Sequence, residues 1–107
     1  RVLPANVMLE VDRSTWSPLP VFQVMAEIAD IDLFDLETTW NLGLGFAVAV
    51  RSESAAAIFE TLNALGVKTW ELGRIQARPA GELAPDFVSV AKGVAGGAVR
   101  LVGNYGD

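Results

Sequence analysis

Apolar residues recur along the chain with the periods of strands and helices. Over residues 6–12 every second position is apolar, which is typical of a strand with one buried face. The residues predicted to face inward are Val7, Leu9 and Val11. A helix is predicted from Ser17 and Pro18, an N-cap hydroxyl followed by proline at the first helical position, to Ala29, because apolar residues recur there at helical spacing.

The middle of the chain changes pattern twice. Acidic and apolar residues interleave between Asp30 and Trp40, which predicts a short irregular helix on the surface. The run Phe46–Val50 is apolar at every position, as expected for a central strand that is covered on both faces. Ser52 can cap a second helix, and Gly66 lies where a residue with positive φ ends it.

The last third of the chain is predicted to form three strands. Thr69–Ile75 is the first of them, with Trp70 and Leu72 facing inward and a bulge after Gly73. Gln76–Asp86 contains two prolines and a glycine and is predicted to be a loop. The remaining segments predict a hairpin that turns at Gly96–Gly97, with strands over Val88–Val94 and Ala98–Val102.

This order of elements predicts a single α/β domain over residues 1–107, of the α+β sandwich type, with a mixed β-sheet and helices packed on one face. The two helices, from Pro18 and from Glu53, are expected to lie side by side. Because Phe46–Val50 is apolar on both sides, we also expect a neighbouring domain or subunit to cover one face. The predicted core contains Val21, Val24, Ile28, Val48, Val50, Ile58, Leu62, Leu65 and Leu72.

Composition and charge exclude several classes of function. The chain has 107 residues, 51% of them hydrophobic and 20% charged, so it has enough apolar surface to fold as one domain. A net charge of −5 has the wrong sign for binding the phosphates of nucleic acid or an anionic membrane. With no Cys and no His, the usual zinc, haem, iron–sulfur and thiol chemistries and a Ser-His-Asp triad are excluded.

The same features predict a cytoplasmic protein. There are no cysteines to form disulfides, and no apolar stretch approaches the roughly 18 to 20 residues of a membrane span. The chain begins at Arg1 without the pattern of a signal peptide, and we expect it to be a piece of a longer protein.

The segment Thr39–Gly45 is the strongest candidate for a binding site. An asparagine and two spaced glycines before a predicted strand would let the backbone approach a ligand closely. The spacing differs from a dinucleotide-binding fingerprint, which needs three glycines between a strand and a helix. The alternative interpretation is a tight turn into the strand, in which Asn41 only caps the turn with its side chain.

Three other groups of residues are candidate sites, but solvation is favoured for the two charged groups and packing for the tryptophans. Glu10, Asp12 and Arg13 could hold a metal or a substrate, but charged residues at a strand end are usually solvated. The acidic residues between 30 and 37 lack the glycine and the spacing of a calcium loop. Without a basic surface, the tryptophans are predicted to pack in a core or an interface. They are Trp16, Trp40 and Trp70.

The chain resembles the C-terminal domain of aminoimidazole ribonucleotide synthetase, the phosphoribosylformylglycinamidine cyclo-ligase of purine biosynthesis. Four segments carry the resemblance, in the same order as in that family: residues 1–4, 20–22, 39–45 and 64–73. In that family the third segment typically reads Thr-Phe-Asn-x-Gly-x-Gly before a buried strand. Thr39, Asn41, Gly43 and Gly45 match it, and Trp40 replaces Phe. The resemblance therefore implies that these four residues bind substrate, on one wall of a cleft between two domains.

The resemblance also implies an activity, a cofactor and partners. The family is an ATP-dependent ligase that converts formylglycinamidine ribonucleotide to aminoimidazole ribonucleotide, phosphorylating the formyl oxygen and closing the ring with a new C–N bond. ATP and Mg²⁺ are bound mainly by an N-terminal domain, which would precede Arg1 together with the catalytic residues. The expected partners are that domain, a second copy in a homodimer and the nucleotide substrate. The isolated chain is then expected to be inactive.

One stretch departs from the family pattern. Where the family usually has His-Glu-Met-x-Arg, this chain has Phe34-Asp35-Leu36-Glu37-Thr38, so nothing here supports a role of this stretch in binding the substrate phosphate. One alternative to the cyclo-ligase is the equivalent domain of a related ATP-dependent enzyme that shares this architecture. Such relatives are selenophosphate synthetase, thiamine-monophosphate kinase and hydrogenase-maturation proteins. A free-standing small-ligand-binding or dimerisation module is another.

Overall fold

The fold is built on a mixed four-stranded sheet. The computed structural model describes residues 2–80, 87–88 and 96–106. The strands are β1 (Val7–Asp12), β2 (Gly73–Ala77), β3 (Phe87–Val88) and β4 (Ala98–Val102). Their order in the sheet is β2, β1, β4, β3, with β1 antiparallel to β2 and parallel to β4, and β3 antiparallel to β4. The predicted mixed sheet with helices is therefore confirmed.

In the described part of the chain, two helices and three short 3-10 turns connect these strands. The helices are α1 (Pro20–Ala29) and α2 (Ala55–Ala64), and the turns span Arg13–Thr15, Leu33–Thr38 and Ser52–Ser54. The turn at 33–38 confirms the short irregular helix predicted in this part of the chain. No helix in the described part of the chain is long and apolar enough to cross a lipid bilayer.

The helix ends agree with the predicted ones only in part. α1 begins at Pro20 with Leu19 as its N-cap residue, so the predicted cap at Ser17 is wrong. Proline has no N–H to leave unpaired at the first helical position, which is why this helix begins without a side-chain cap. Ser52 begins the 3-10 turn before α2 and does not cap the helix directly. Beyond the end of α2, Gly66 has a φ of +76°, as predicted.

The predicted central strand is the main error of the sequence analysis. Phe46–Val50 forms no strand, and the side chain of Phe46 is 90% exposed. Both hydrogen-bonding edges of β1 are occupied, one by β2 and the other by β4, so no central position in the sheet is left for this segment. We call residues 46–67, which include this segment and α2, the exposed arm.

The predicted packing of both helices side by side on the sheet is also wrong. α1 packs against the 33–38 turn, whereas α2 packs against the 52–54 turn that precedes it, and no residue of α2 is buried. Val21, Val24 and Ile28 of α1 are exposed, Ile28 by 81%. The buried residue of α1 is Ala26, which lies on another side of the helix from this stripe.

The observed core differs accordingly from the predicted one. Among the other predicted core residues, Val48, Val50 and Leu65 are exposed, and Ile58, Leu62 and Leu72 are half-buried. The core instead gathers residues from β1, β4 and the turns around α1. The buried hydrophobic residues are Met8, Val11, Trp16, Ala26, Leu36, Leu42 and Ala98.

β1 does not bury a single face. Met8 and Val11 are buried, while Val7 and Leu9 are half-buried. Since Met8 and Val11 are three positions apart, they point to opposite sides of the strand. Both faces of β1 are thus partly covered, which is why the simple alternation of residues 7, 9 and 11 did not identify the buried set.

The two remaining strand predictions need shifted boundaries. β2 begins at Gly73, so Trp70 and Leu72 precede it and are half-buried, and the predicted loop begins only after Ala77. Val88 lies opposite Val99, which confirms antiparallel pairing with β4. Most of the predicted strand Val88–Val94 lies outside the described residues.

The predicted two-residue turn at Gly96–Gly97 does not fit this register. Instead, the Gly97 N–H donates to the Leu3 carbonyl over 2.9 Å. A Cβ on Gly97 would lie 2.5 Å from the carbonyl oxygen of Val7, so glycine is needed there for close approach to the N-terminal segment.

Candidate functional site

A tight turn forms the centre of the candidate site. The Leu44 N–H donates to the Asn41 carbonyl over 3.0 Å, and the Gly43 N–H donates to Asn41 Oδ1 over 3.1 Å. The two central residues, Leu42 and Gly43, have φ values of +52° and +103°, the signs that a type I′ turn requires. The side chain of Asn41 therefore caps this turn, as the alternative interpretation predicts.

Leu42 is held in this turn against its own conformational preference. A bulky residue with positive φ is a genuine outlier that the surrounding structure must enforce. Leu42 is only 2% exposed, and its carbonyl accepts a hydrogen bond from Trp16 Nε1 at 3.3 Å. Burial of the side chain and this hydrogen bond fix the turn to the connection between β1 and α1.

The four predicted site residues lie in and beside this turn. Asn41 and Gly43 are brought together by the hydrogen bond between them, and Asn41 is exposed. Thr39 is exposed at the end of the 33–38 turn, with its N–H bonded to the Leu36 carbonyl over 3.0 Å. Gly45 follows the turn and is exposed as well. All four thus lie on one short stretch, which presents the amide group of Asn41 at the surface.

The two glycines differ in what they require. Gly43 has positive φ, and a Cβ on it would lie 3.3 Å from Leu19 Cγ, so both conformation and packing favour glycine. A Cβ on Gly45 would have no atom within 4 Å. The structure therefore explains glycine at 43 and gives no steric reason for glycine at 45.

A second group of polar residues, whose contacts the sequence does not predict, joins the end of β1, the 33–38 turn and the C-terminal residues. Arg13 Nε and Nη2 donate to the two carboxylate oxygens of Glu37 over 2.6 and 2.9 Å, and Arg13 Nη1 donates to the carbonyls of Leu101 and Gly103. The Tyr105 hydroxyl donates to Glu37 Oε1 over 2.6 Å. The Arg13 and Glu37 side chains are only 14% and 11% exposed. Such bidentate pairs are among the strongest polar contacts in proteins.

Aromatic rings pack around this ion pair. The guanidinium of Arg13 lies 4.7 Å from the centre of the Phe34 ring, and the Phe34 and Tyr105 ring centres are 5.8 Å apart. The edge of Tyr105 meets Trp16, with ring centres 5.1 Å apart. We call Arg13, Phe34, Glu37 and Tyr105 the Arg13 cluster. It contains two residues of the stretch that departs from the family pattern, so that stretch serves packing here.

The ionisable groups of the cluster shift one another's pKa values. Burial disfavours the carboxylate of Glu37, but the hydrogen bonds from Arg13 and Tyr105 outweigh burial and lower its pKa below the usual value. Burial and the adjacent carboxylate raise the pKa of Tyr105. The bond to Glu37 raises the pKa of Arg13. Glu37 is therefore ionised and Tyr105 neutral at neutral pH, which is the state that their hydrogen bond requires.

The charged residues at the end of β1 are all partnered. Asp12 Oδ1 accepts from the N–H and the hydroxyl of Ser14, which lowers the pKa of Asp12. Glu10 lies 3.7 Å from Arg100. Arg13 is mostly buried in its cluster, so the expectation of a solvated residue is wrong for Arg13. The contacts join residues 24 and 68 positions apart, and no local pattern in the sequence signals them.

A groove of about 580 Å³ lies elsewhere in the described residues. It runs between α1 and the C-terminal residues Tyr105 and Gly106, and Glu27, Asp30 and Asp32 border it. None of the four predicted site residues lines it. Within the described residues no group of three or more acidic side chains could hold a metal ion. Asp30, Asp32 and Asp35 are exposed, as expected of a solvated surface, whereas Glu37 is mostly buried in the Arg13 cluster, so that expectation is wrong for Glu37.

The tryptophans pack against other residues, as predicted. Trp16 is buried, and Trp40 lies against Phe22 of α1 with ring centres 5.6 Å apart. Trp70 is half-buried with Lys68 5.8 Å from its ring centre, and its indole N–H is buried without a hydrogen-bond partner in the described part of the chain.

Comparison with known proteins gives three informative relatives. The phosphoribosylformylglycinamidine cyclo-ligase of Methylobacillus flagellatus is 38% identical over 82 residues, 77% of this chain and 24% of the relative. The phosphoribosylformylglycinamidine cyclo-ligase of Lactobacillus acidophilus is 33% identical over 82 residues, again 77% of this chain and 24% of the relative. A bifunctional purine biosynthetic protein of Saccharomyces cerevisiae is 33% identical over 79 residues, 74% of this chain and 10% of the relative.

The chain spans less than half the length of the curated relatives that it matches. No protein-family model matches the chain, and no solved structure gives a significant match. Over about three quarters of its length, the chain is similar to the C-terminal part of the phosphoribosylformylglycinamidine cyclo-ligases, which confirms the resemblance of its motifs.

Proposed function

We propose that this chain is the C-terminal domain of an ATP-dependent cyclo-ligase that converts formylglycinamidine ribonucleotide to aminoimidazole ribonucleotide in purine biosynthesis. The observation that supports this most directly is the similarity to proteins named for that activity. In this proposal the chain contributes one wall of a substrate cleft, and the rest of the enzyme contributes the other. The mixed sheet with its helices then corresponds to the C-terminal domain of that enzyme.

The 41–44 turn is the substrate-binding element of this wall. Asn41 Oδ1 is used to cap the turn, while its amide nitrogen has no hydrogen-bond partner in the described residues and lies at the surface. An amide N–H₂ at such a position can donate to a carbonyl or phosphate oxygen of the substrate. Thr39, two residues earlier, is exposed and adds a hydroxyl to this stretch. Gly43 allows the backbone conformation of the turn, and Gly45 leaves the backbone accessible directly after it.

ATP and Mg²⁺ bind mainly to the N-terminal domain in this proposal. In this division of roles the N-terminal domain supplies the phosphate cradle and the metal ligands that phosphoryl transfer needs. We therefore assign no step of phosphoryl transfer to these residues and expect the isolated chain to be inactive. Calorimetry in which this chain alone binds ATP with micromolar affinity would contradict this division of roles.

The apolar side chains of the exposed arm meet the N-terminal domain in the complete enzyme. Phe46 and Val48 are exposed, and the relatives are several times longer than the segment that this chain matches.

A second copy of the chain is the other expected partner. We expect light scattering to show self-association of the isolated chain and the variant Phe46→Asp to reduce it. Ile28→Asp on α1, equally exposed but outside the arm, is the control. A clean monomer at high concentration would contradict this role of the arm.

Replacement of Asn41 tests the proposed function. In the complete two-domain enzyme, we expect Asn41→Asp to keep the cap of the turn, because a carboxylate oxygen still accepts from Gly43, but to remove the amide donor. We expect kcat/KM to fall roughly tenfold or more, the scale of one lost ligand hydrogen bond, with a nearly unchanged melting temperature. Asn41→Ala removes both cap and donor, so it should lower kcat/KM and also cost about 1 kcal/mol of stability.

The opposite pattern would assign Asn41 to structure alone. In that case Asn41→Ala lowers stability, Asn41→Asp restores it, and turnover of the folded enzyme is unchanged in both variants. Asn63→Ala is the matched control, since Asn63 is exposed on α2, far along the chain from the turn. It should not change stability by a measurable amount, so it calibrates the stability effect of Asn41→Ala.

A further inference from the structure

The indole of Trp16 is placed to control the shape of the candidate substrate-binding turn. It is 8% exposed, and its Nε1–H donates to the carbonyl of Leu42, the residue at the centre of the turn. Leu42 has a φ of +52°, which a bulky side chain adopts only when its surroundings enforce it. The hydrogen bond from Trp16 fixes the peptide group that joins Leu42 to Gly43, the residue capped by Asn41.

Trp16 is itself held by the C-terminal residues 103–106, which we call the C-terminal strap. The ring of Tyr105 contacts the indole edge to face, and the Gly106 N–H donates to the Trp16 carbonyl over 3.3 Å. The hydroxyl of Tyr105 is bonded to Glu37 of the 33–38 turn. The backbone of that turn accepts hydrogen bonds from Thr39 and Trp40 at its Leu36 carbonyl, so it leads directly into the candidate site.

We propose that Trp16 is a positioning residue for the 41–44 turn and that Tyr105 of the C-terminal strap holds Trp16 in place. The inference rests on the proposed function, in which the turn binds substrate. Without the indole N–H, Leu42 loses the polar contact that holds its carbonyl. The turn then relaxes, and Asn41 no longer presents its amide nitrogen in the binding geometry.

The test compares Trp16→Phe with Trp70→Phe in the complete two-domain enzyme. Both changes remove an indole N–H, but that of Trp16 is hydrogen-bonded and that of Trp70 is buried without a partner in the described part of the chain. For Trp16→Phe we expect KM for the ribonucleotide substrate to rise roughly tenfold with a small change in kcat, because a positioning defect weakens binding. Trp70→Phe should leave both constants unchanged.

Hydrogen exchange of single backbone amides gives a readout that does not depend on activity. In Trp16→Phe the amides of Gly43 and Leu44, which close the turn, should exchange several times faster, while those of β1 keep the wild-type rate and show that the sheet is intact. Tyr105→Leu, which removes the ring against Trp16, should reproduce this pattern. Tyr105→Phe keeps the ring and should have a smaller effect.

The outcomes separate this inference from the proposed function. If Trp16→Phe leaves the exchange of Gly43 and Leu44 at the rate found in Trp70→Phe, the positioning role of Trp16 is wrong, whatever the kinetics show. If exchange becomes faster and KM stays unchanged, Trp16 does position the turn, and the proposed role of the turn in substrate binding is wrong. If Trp16→Phe also speeds the exchange of the β1 amides, Tyr105→Leu is the deciding variant. Faster exchange of Gly43 and Leu44 in Tyr105→Leu supports the positioning role of Trp16, and an unchanged rate contradicts it.

Discussion

Leu42 and Phe46 lie four residues apart in one apolar stretch, yet Leu42 is almost completely buried and Phe46 almost completely exposed. The difference lies in their polar neighbours. The backbone around Leu42 is bonded to Trp16 and closed by Asn41, whereas residues 46–50 belong to no strand. Hydrophobicity alone therefore did not decide which part of the stretch enters the core.

The same contrast separates residues 33–44, which we call the anchored region, from the exposed arm as a whole. The anchored region is connected to the end of β1 and to the C-terminal strap through the Arg13 cluster, with a bidentate ion pair and the tilted rings of Phe34 and Tyr105. α2 in the exposed arm contacts the turn that precedes it and buries no residue. An apolar helix face is stabilised chiefly by packing against another element, and the apolar residues Ile58, Phe59 and Leu62 of α2 are only half-buried.

The largest expected effect is the cost of truncating Leu42 compared with Phe46. Leu42→Ala should lower the free energy of unfolding by about 3 kcal/mol, since it removes buried methyl groups and leaves a cavity. Phe46→Ala should change it by no more than about 0.5 kcal/mol, because an exposed ring loses little on truncation. Denaturant unfolding of both variants checks this. A large loss for Phe46→Ala would show that the arm is packed in solution.

Breaking the Arg13 cluster is the next test, because it removes the polar link of the anchored region. Glu37→Ala should cost about 2–3 kcal/mol, as it leaves the mostly buried Arg13 without its partner. Glu71→Ala is the control: Glu71 pairs with Arg74 on the surface at 3.2 Å, both side chains being more than half exposed, and such pairs are worth at most about 1 kcal/mol. Equal losses for the two variants would contradict a special role of the cluster.

The pH dependence of stability sharpens this result. The folded state lowers the pKa of Glu37, so its contribution is fully present above the usual unfolded value of about 4.3 and is lost as the pH falls through the lowered pKa. The stability difference between the wild type and Glu37→Gln should therefore narrow in acid. The folded state raises the pKa of Tyr105, so neutral Tyr105 also contributes to stability. This contribution is fully present below the unfolded value of about 10 and is lost as the pH rises through the raised pKa. Urea unfolding across the pH range measures both. A difference that stays constant down to pH 2 would show that Glu37 gains nothing from being charged.

Local patterns predicted the elements that depend on local physics. The alternation of residues 6–12, the helical spacing of α1 and α2 and the glycine after α2 correspond to a strand, two helices and a residue with positive φ. The turn at 39–45 was also recognised, together with the Asx-type cap by Asn41. In each case the signal lies within a few residues of the structure that it specifies.

The packing of these elements could not be read in the same way. An apolar stripe does not say which partner covers it, so the stripe of Val21, Val24 and Ile28 was predicted to be core and is exposed. The strand pattern of residues 46–50 did not reveal that β2 and β4 occupy both sides of β1. The Arg13 cluster joins three distant segments and has no local signature, although a buried arginine needs a carboxylate partner somewhere in the chain.

The smallest effects mark where the anchored region ends, because Gly43 and Gly45 lie on the two sides of that boundary. Gly43→Ala should destabilise the chain by about 1–2 kcal/mol, since its φ of +103° is strained for any L side chain and its new Cβ would press on Leu19. Gly45→Ala should change stability by less than about 0.5 kcal/mol or raise it slightly, because its Cβ meets no atom and alanine restricts the unfolded chain. Thermal unfolding of the two variants makes the comparison directly. If Gly45→Ala lowers kcat/KM of the complete enzyme without lowering stability, the backbone at residue 45 binds substrate and is not needed for the fold. If both changes lower the melting temperature equally, Gly45 belongs to the anchored region.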